Sequence, residues 1–213
     1  MTSPAASFLG VERSWSGRRW RARACDERLA LALAQRLGAP ELIGRVLAGR
    51  SVGVDECETF LEPRLRDCLP DPGRLRDMDA AADRIARAVT AGERIAVFGD
   101  YDVDGATASA LLRRFLAAAG APARVYIPDR VAEGYGPNAP ALLRLQGEGV
   151  TLVVTVDCGT TAFEPLAAAA AAGLDVVVID HHVAEARLPE AVAVVNPNRI
   201  DEAPGLGHLA AVG

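Results

Sequence analysis

The sequence IAVFGDYDVDG, residues 95–105, joins a short apolar run to three alternating aspartates and a glycine. The apolar run predicts a buried strand. Three like charges within five residues repel one another and lose hydration when they are partly enclosed, so their clustering indicates a cation site. The chain repeats this arrangement twice, because TLVVTV is followed by Asp157 and LDVVVI is followed by Asp180. A strand followed by an acid, three times over, is the pattern on which the fold prediction rests.

Apolar strands alternate with helices from residue 94 onward. We predict strands at 94–98, 123–128, 150–156, 174–179 and 191–195, helices at 105–119, 138–147 and 161–172, and a turn at 183–187. This alternation predicts an α/β fold, a parallel sheet of about five strands flanked by helices. Ligands of such sheets bind beyond the carboxyl ends of the strands. We therefore expect the acids that follow the strands to converge at one edge.

The preceding part of the chain predicts a small N-terminal region, residues 1–76. It opens with an arm over residues 1–24 that is rich in tryptophan and arginine: Trp15, Trp20, Arg18, Arg19, Arg21 and Arg23. Arginine and aromatic side chains together suit phosphates and bases, so the arm either packs on its domain or touches nucleic acid, and we favour packing.

Helices are predicted for the rest of this region. One helix is capped by Asp26 and stopped by Gly38, and shorter helical pieces lie near 40–48 and 54–61. Residues 62–76, rich in proline, are predicted to be a linker. The second domain then covers 77–213 and opens with a helix that begins at Asp77 or Asp79 and ends at Gly92.

Composition excludes several classes of protein. The 213 residues carry a net charge of −5, which gives no reason to expect polyanion binding over the whole surface. The four cysteines form no CxxC pair, which argues against a zinc site and favours a reducing cytoplasm. We predict no membrane segment and no export. The absence of P-loop and GxGxxG fingerprints disfavours a nucleotide-driven motor or a dehydrogenase.

The acidic motifs favour Mn²⁺ or Mg²⁺ over other cations. An EF-hand loop would need a glutamate where Leu111 stands. Two adjacent histidines, His181 and His182, make poor core residues, and carboxylates with a little imidazole but no thiolate suit Mn²⁺ or Mg²⁺. Ligands spread over three loops could hold two ions, which activate water on a phosphoester. The segment DCGTT, residues 157–161, also suits a helix cap or a phosphate cradle, and we take Cys158 as structural.

Several motifs together resemble the DHH phosphoesterase family. They are VFGDYDVDGAT at 97–107, DCG at 157–159 and DHH at 180–182, with IPDR at 127–130 and EGYG at 133–136. Within that family, the sequence is most similar to bacterial exonucleases specific for single-stranded DNA. The resemblance implies a Mn²⁺- or Mg²⁺-dependent enzyme, with two ions, that degrades single-stranded DNA from its 5′ end in recombination and repair alongside other repair proteins.

The resemblance also assigns roles to residues. The positions matching metal ligands are Asp100, Asp102, Asp104, Asp157 and His181. His182 and Asp104 match catalytic positions, with His182 expected to contact the scissile phosphate or to orient the attacking water. The substrate-side candidates, each with a structural role as the alternative, are Arg130, Glu133 and Tyr135.

Two departures qualify the resemblance. Many relatives carry a histidine where this chain has Phe98, so one ion has a thinner ligand set or Asp100 substitutes. The last residues, 207–213, resemble the start of a helix leading to a fourth metal-binding aspartate, and we expect the chain to be an incomplete catalytic unit. The alternatives are a family member acting on short oligonucleotides or nucleotide bisphosphates, and a DNA-binding relative without catalysis.

Overall fold

The computed structural model describes residues 7–22, 25–203 and 205–213. Of the predicted N-terminal arm, residues 1–6 and 23–24, Arg23 among them, lie outside the described residues. The chain divides into two compact units, Met1–Pro70 and Asp71–Gly213. Among the described helices, none is both long enough and apolar enough to cross a membrane.

The first unit is a small helical unit. Its helices are α1 (Glu27–Leu37), α2 (Glu41–Ala48), α3 (Cys57–Leu61) and α4 (Leu65–Cys68). The Asp26 carboxylate accepts hydrogen bonds from the amides of residues 28 and 29, and Gly38 ends α1 in the left-handed conformation, which confirms both predicted ends. A Cβ atom on Gly44 would lie 2.0 Å from the carbonyl oxygen of Ala30, so the glycine permits the close packing of α1 on α2.

The prediction that the tryptophans of the arm pack on the domain is wrong for Trp15. That residue is fully exposed, because backbone hydrogen bonds such as Phe8 N to Trp20 O (3.0 Å) fold the arm on itself without burying its ring. The division between the two units, after Pro70, falls within the segment 62–76 that was predicted to be a linker. This segment also contains α4 and a 3₁₀ turn at Pro72–Arg74, which the Asp71 carboxylate caps through the Gly73 amide.

The second unit is a parallel sheet covered by helices on both faces, which confirms the predicted fold. Its strands are β1 (Ile95–Phe98), β2 (Arg124–Tyr126), β3 (Leu152–Val156), β4 (Asp175–Ile179) and β5 (Ala193–Val195), in the order β2-β1-β3-β4-β5. Its helices are α5 (Met78–Ala91), α6 (Val103–Ala118), α7 (Ala139–Gly147) and α8 (Phe163–Ala171). The predicted turn at 183–187 is an irregular loop instead.

Alternate residues of the strands supply two hydrophobic layers. In β1, Ile95 and Val97 pack with α5 and α6, whereas Ala96 and Phe98 pack with α7 and α8. Every residue of β1 and β3 is buried. Burial on both faces explains why these strands read as continuous apolar runs in the sequence.

Asp77 precedes α5, as predicted, but it does not cap that helix. Its backbone is left-handed (φ 61°), and its carboxylate accepts hydrogen bonds from the Val194 amide at 3.2 Å and from Arg199 at 2.7 Å. Asp77 therefore ties the start of α5 to β5 and to the loop that follows it.

Candidate metal centre

The first loop of the site joins β1 to α6 and depends on Gly105. The Asp102 carboxylate accepts a hydrogen bond from the Gly105 amide at 3.0 Å, so α6 begins at Val103, two residues earlier than predicted. This hydrogen bond lowers the pKa of Asp102. A Cβ atom on Gly105 would lie 2.6 Å from the backbone of Asp100, so only glycine lets the helix start approach the acidic loop this closely.

Asp100 carries a buried carboxylate with an unmatched oxygen. The residue is 5% exposed, and within the described residues its Oδ1 atom has no hydrogen-bond partner. Burying a polar oxygen without a donor is costly, and such an atom in a native structure points to a missing partner. A divalent cation would be that partner, so the residues present fit a metal ion.

The second loop places Asp157 directly after β3. Its backbone is left-handed (φ 63°), a conformation that costs roughly 1–2 kcal/mol for residues other than glycine. Its side chain is 3% exposed, and burial, with repulsion from Asp104 and Asp102 added, raises the pKa of Asp157 to about 6. The residue that precedes α8 is Ala162, so Asp157 does not cap that helix, which was the structural alternative considered from the sequence. Strain and burial at one carboxylate are features of functional sites.

The third loop is organised by Asp180. The sequence motif alone did not show that the role of Asp180 differs from the roles of His181 and His182. One carboxylate oxygen accepts hydrogen bonds from the amides of His181 and His182, and the other accepts from the Thr160 amide at 3.0 Å. Burial alone would raise the pKa of Asp180, but hydrogen bonds from His182 and Thr160 hold it below its usual value. The carboxylate is therefore ionised and accepts from Nδ1 of His182 at 2.7 Å.

The amide of Thr160 and its side chain are both engaged inside the protein. Besides the amide bond to Asp180, the Thr160 hydroxyl accepts a hydrogen bond from Asn196 at 2.9 Å, and the residue is buried. The Thr160 amide is therefore not free to contribute to the phosphate cradle considered from the sequence. Cys158 is also buried, and its thiol donates to the Val156 carbonyl, in keeping with a structural role.

Two groups of potential ligands meet at Asp157. One comprises Asp100, Asp102 and Asp157, and the other comprises Asp157, His181 and His182; in each group the donor atoms lie within 4.8 Å of one another. The two groups therefore share one carboxylate, that of Asp157. Oxygen donors with some imidazole are the chemistry that Mn²⁺ and Mg²⁺ accept.

Asp104 lies beside these groups but has other partners. Its Oδ2 atom is 3.3 Å from Nε2 of His181, which is in turn 3.1 Å from Oδ1 of Asp157. The two carboxylate oxygens of Asp104 also accept hydrogen bonds from the backbone amides of Ala211 and Val212, at 2.9 and 3.0 Å. Asp104 therefore faces both the site and the last residues of the chain.

Two of the substrate-side candidates lie next to the ligand groups. The Tyr135 hydroxyl donates to the carbonyl of Asp157 at 2.9 Å and lies 3.3 Å from Nδ1 of His182. Burial raises the pKa of Tyr135 far above its usual value, so the hydroxyl stays protonated. The Arg130 guanidinium lies over the Tyr135 ring, with Cζ 4.9 Å from the ring centroid.

Glu133, the third substrate-side candidate, is occupied by its own neighbourhood. Its carboxylate accepts from the Tyr126 hydroxyl at 2.5 Å and from the Asp129 amide at 2.8 Å, and it pairs with Arg144 at 3.6 Å. Of the two roles considered from the sequence, these contacts are those of a structural residue.

Phe98, at the position where the resemblance led us to expect a histidine, points into the core rather than the site. It is fully buried, and its ring centroid lies 5.1 Å from that of Tyr126. The two ligand groups therefore form without a contribution from position 98.

Comparison with known proteins places the site within a family. The family model described as the DHH family, N-terminal domain, matches residues 94–213. The single-stranded-DNA-specific exonuclease RecJ of Bacillus subtilis is 35% identical over 198 residues, which are 92% of this chain and 25% of that protein. RecJ of Thermus thermophilus is 40% identical over 126 residues, which are 58% of this chain and 18% of that protein. The chain thus spans about a quarter or less of these curated relatives.

Solved structures show the same relationship. A crystal structure of exonuclease RecJ bound to manganese is 38% identical with a TM-score of 0.54, over 63% of this chain and 34% of that one. RecJ from Thermus thermophilus in complex with Mn²⁺ is 29% identical with a TM-score of 0.62, over 83% of this chain and 24% of that one.

Proposed function

This chain belongs to the DHH family, and we propose that it forms the metal-binding part of an exonuclease that hydrolyses phosphodiester bonds in single-stranded DNA. We propose two Mn²⁺ or Mg²⁺ ions as its cofactors, since the RecJ structures compared above are described as bound to Mn²⁺ and carboxylates with some imidazole also suit Mg²⁺. The observation that carries the proposal is the convergence of two ligand groups on one strained, buried carboxylate, Asp157, at the carboxyl edge of the sheet.

The ligand roles follow from the positions of the donors. Asp100 and Asp102 would hold one ion, Asp157 would bridge, and His181 would hold the other, with Asp104 close enough to orient His181. Bound divalent ions would supply a Lewis acid for the phosphoryl oxygens and lower the pKa of a water molecule. The excess of carboxylates over histidines in these loops creates the negative potential that attracts such ions.

His182 is proposed as the catalytic imidazole. Burial alone would lower the pKa of His182, but the hydrogen bond from Nδ1 to Asp180 raises it above its usual value. A ring that is about half exposed and is held by Asp180 can contact the scissile phosphate or hold a proton beside it. Asp180 fixes the orientation of the ring, and the Tyr135 hydroxyl supports it from the other loop.

The test is Mn²⁺-dependent release of nucleotides from 5′-phosphorylated single-stranded DNA by the full-length protein that contains this chain. We expect Asp157→Ala to abolish release and to remove tight Mn²⁺ binding, with the fold retained in circular dichroism. Glu164→Ala is the matched control, because Glu164 is an exposed acid in the first turn of α8. It should leave both activities unchanged.

Each other result points elsewhere. Cleavage at the wild-type rate by Asp157→Ala would contradict the ligand assignment. Turnover of dinucleotides or a nucleotide bisphosphate, without action on DNA, would move the protein to the branch of the family that uses small substrates. A protein that binds no Mn²⁺ and cleaves nothing would be a DNA-binding relative without catalysis.

We further propose that the protein works in the cytoplasm, in recombination and repair, with single-stranded DNA and other repair proteins as partners. Cys25, Cys57, Cys68 and Cys158 are all free thiols, which suits a reducing compartment. The names of the relatives, single-stranded-DNA-specific exonucleases, support DNA as the substrate.

A further inference from the structure

Arg130 lies over two aromatic rings, whereas Arg144 and Arg187, the other arginines of this unit found over aromatic rings among the described residues, each lie over one. Its guanidinium carbon is 5.1 Å from the centroid of the Tyr101 ring and 4.9 Å from that of the Tyr135 ring. In the described part of the chain, Arg130 forms no ion pair with a carboxylate, and its guanidinium lies against these two rings.

Arg144 provides the contrast. It also lies over a tyrosine, with its guanidinium carbon 5.3 Å from the Tyr126 ring centroid, but it hydrogen-bonds to the Tyr126 hydroxyl and pairs with Glu133 at 3.6 Å. The hydrogen-bonding capacity of Arg144 is thus used within the fold. The Arg130 guanidinium is instead oriented by the faces of two rings, and a ring face uses none of the N–H donors of the guanidinium.

Of the two rings next to Arg130, one belongs to a loop of the candidate metal centre and the other contacts a second loop of that centre. Tyr101 stands between Asp100 and Asp102, and the Tyr135 hydroxyl is bonded to the carbonyl of Asp157. Tyr101 is 55% exposed and Tyr135 is 46% exposed, so the arginine lies at the open side of the site. A guanidinium held by its face keeps a planar edge of donors free for a phosphate, with less conformational entropy to lose on binding.

We infer that Tyr101 is a positioning residue for substrate binding: together with Tyr135 it orients Arg130 so that the N–H edge of the guanidinium binds a phosphate of the DNA strand beside the metal centre. This inference rests on the proposed function and deepens it, because it gives a role to a residue that carries no metal-binding group. Tyr101 acts through Arg130 and not by touching the strand.

The experiment is a double-mutant cycle on the full-length protein. Binding of a 5′-phosphorylated single strand is measured by fluorescence anisotropy without divalent ions, and KM and kcat are measured with Mn²⁺. The variants are Tyr101→Ala, Tyr101→Phe, Arg130→Ala and the double variant Tyr101→Ala/Arg130→Ala. Arg144→Ala is the matched control, since it removes a cation over a tyrosine whose partners lie within the fold.

The expected pattern is specific to positioning. Tyr101→Ala should weaken DNA binding and raise KM roughly two- to fivefold, the effect of losing an exposed cation–π contact, with kcat and Mn²⁺ affinity unchanged. Tyr101→Phe should bind as the wild type does, because the ring face is retained. Arg130→Ala should lower the slope of log K against log salt by about 0.7, the value for one phosphate contact on a single strand. Adding Tyr101→Ala to Arg130→Ala should cost nothing further.

Three results would overturn the inference. Wild-type KM and binding in Tyr101→Ala would refute it while leaving the proposed function intact. Full additivity of the two single variants would mean that Tyr101 contacts DNA by itself. A wild-type protein that neither binds nor cleaves single-stranded DNA would refute the proposed function, and this inference with it.

Discussion

Asp157→Asn should stabilise the metal-free protein at neutral pH while removing its response to Mn²⁺. Asparagine keeps the shape of the side chain and tolerates the left-handed backbone of this position. It removes a charge that burial and the neighbouring carboxylates disfavour, as the rise in the pKa of Asp157 from 3.8 to about 6 records.

The sign and size follow from that pKa. Between pH 3.8 and about 6, the folded protein holds a proton that the unfolded chain has released, so the stability of the wild type falls as pH rises through this interval. The deficit persists above it and reaches about 3 kcal/mol at pH 7.5, at 1.36 kcal/mol per pKa unit, against roughly 0.5 kcal/mol at pH 4. The variant should therefore be more stable by about 2–3 kcal/mol at pH 7.5 and nearly equal to the wild type at pH 4.

The assay is urea denaturation in EDTA at pH 4, 6 and 7.5, repeated with saturating Mn²⁺. Mn²⁺ at a hundred times its dissociation constant should stabilise the wild type by about 2.7 kcal/mol and the variant much less. Asp129→Asn is the matched control, and its effect on stability should have the opposite sign. Hydrogen bonds from the Ala132 and Val131 amides lower the pKa of Asp129, so loss of the charge should destabilise the protein at neutral pH. A variant that is less stable than the wild type at pH 7.5, or a difference that does not change with pH, would refute the reasoning.

Three further changes test the fold and the site. Gly105→Ala should lower the melting temperature and weaken Mn²⁺ binding in calorimetry, because the added Cβ would lie 2.6 Å from the Asp100 backbone; unchanged Mn²⁺ affinity would contradict this account. Leu142→Ala removes a fully buried side chain of α7 and should lower the free energy of unfolding by about 2–5 kcal/mol in chemical denaturation. A loss under about 1 kcal/mol would mean that the core around Leu142 is not packed as described. Glu93→Gln should destabilise at pH 7 and have no effect at low pH, because hydrogen bonding to Arg84 lowers the pKa of Glu93 and this contribution is lost as pH falls through that value; a pH-independent loss would argue against it.

The sequence predicted those features that depend on local pattern. The strands are continuous apolar runs because both of their faces are buried, and Asp26 and Gly38 mark the ends of α1 because capping needs only neighbouring residues. The convergence of Asp100 and Asp157 could be expected because parallel strands place their carboxyl ends at one edge.

The features that were missed depend on contacts between distant residues. No local pattern indicates that Asp77 accepts from Arg199, or that Asp104 accepts the amides of Ala211 and Val212. The structural contacts of Glu133 likewise come from residues outside its own motif. The role of Asp180 as the group that orients His182 became visible only from the hydrogen bonds, although the motif itself stood out.

The position of β1 within the sheet has a consequence for the order in which the molecule assembles. β1 precedes the other strands in the chain, yet it lies between β2 and β3, so it gains its second neighbour only when residues 152–156 are in place. The ligands come later still, since His181 follows β4. Divalent ions can therefore bind only when the sheet is nearly complete. An interaction that is absent from the folding transition state changes the rate of unfolding and not the rate of folding. Mn²⁺ is accordingly expected to slow unfolding of this unit while leaving its refolding rate unchanged.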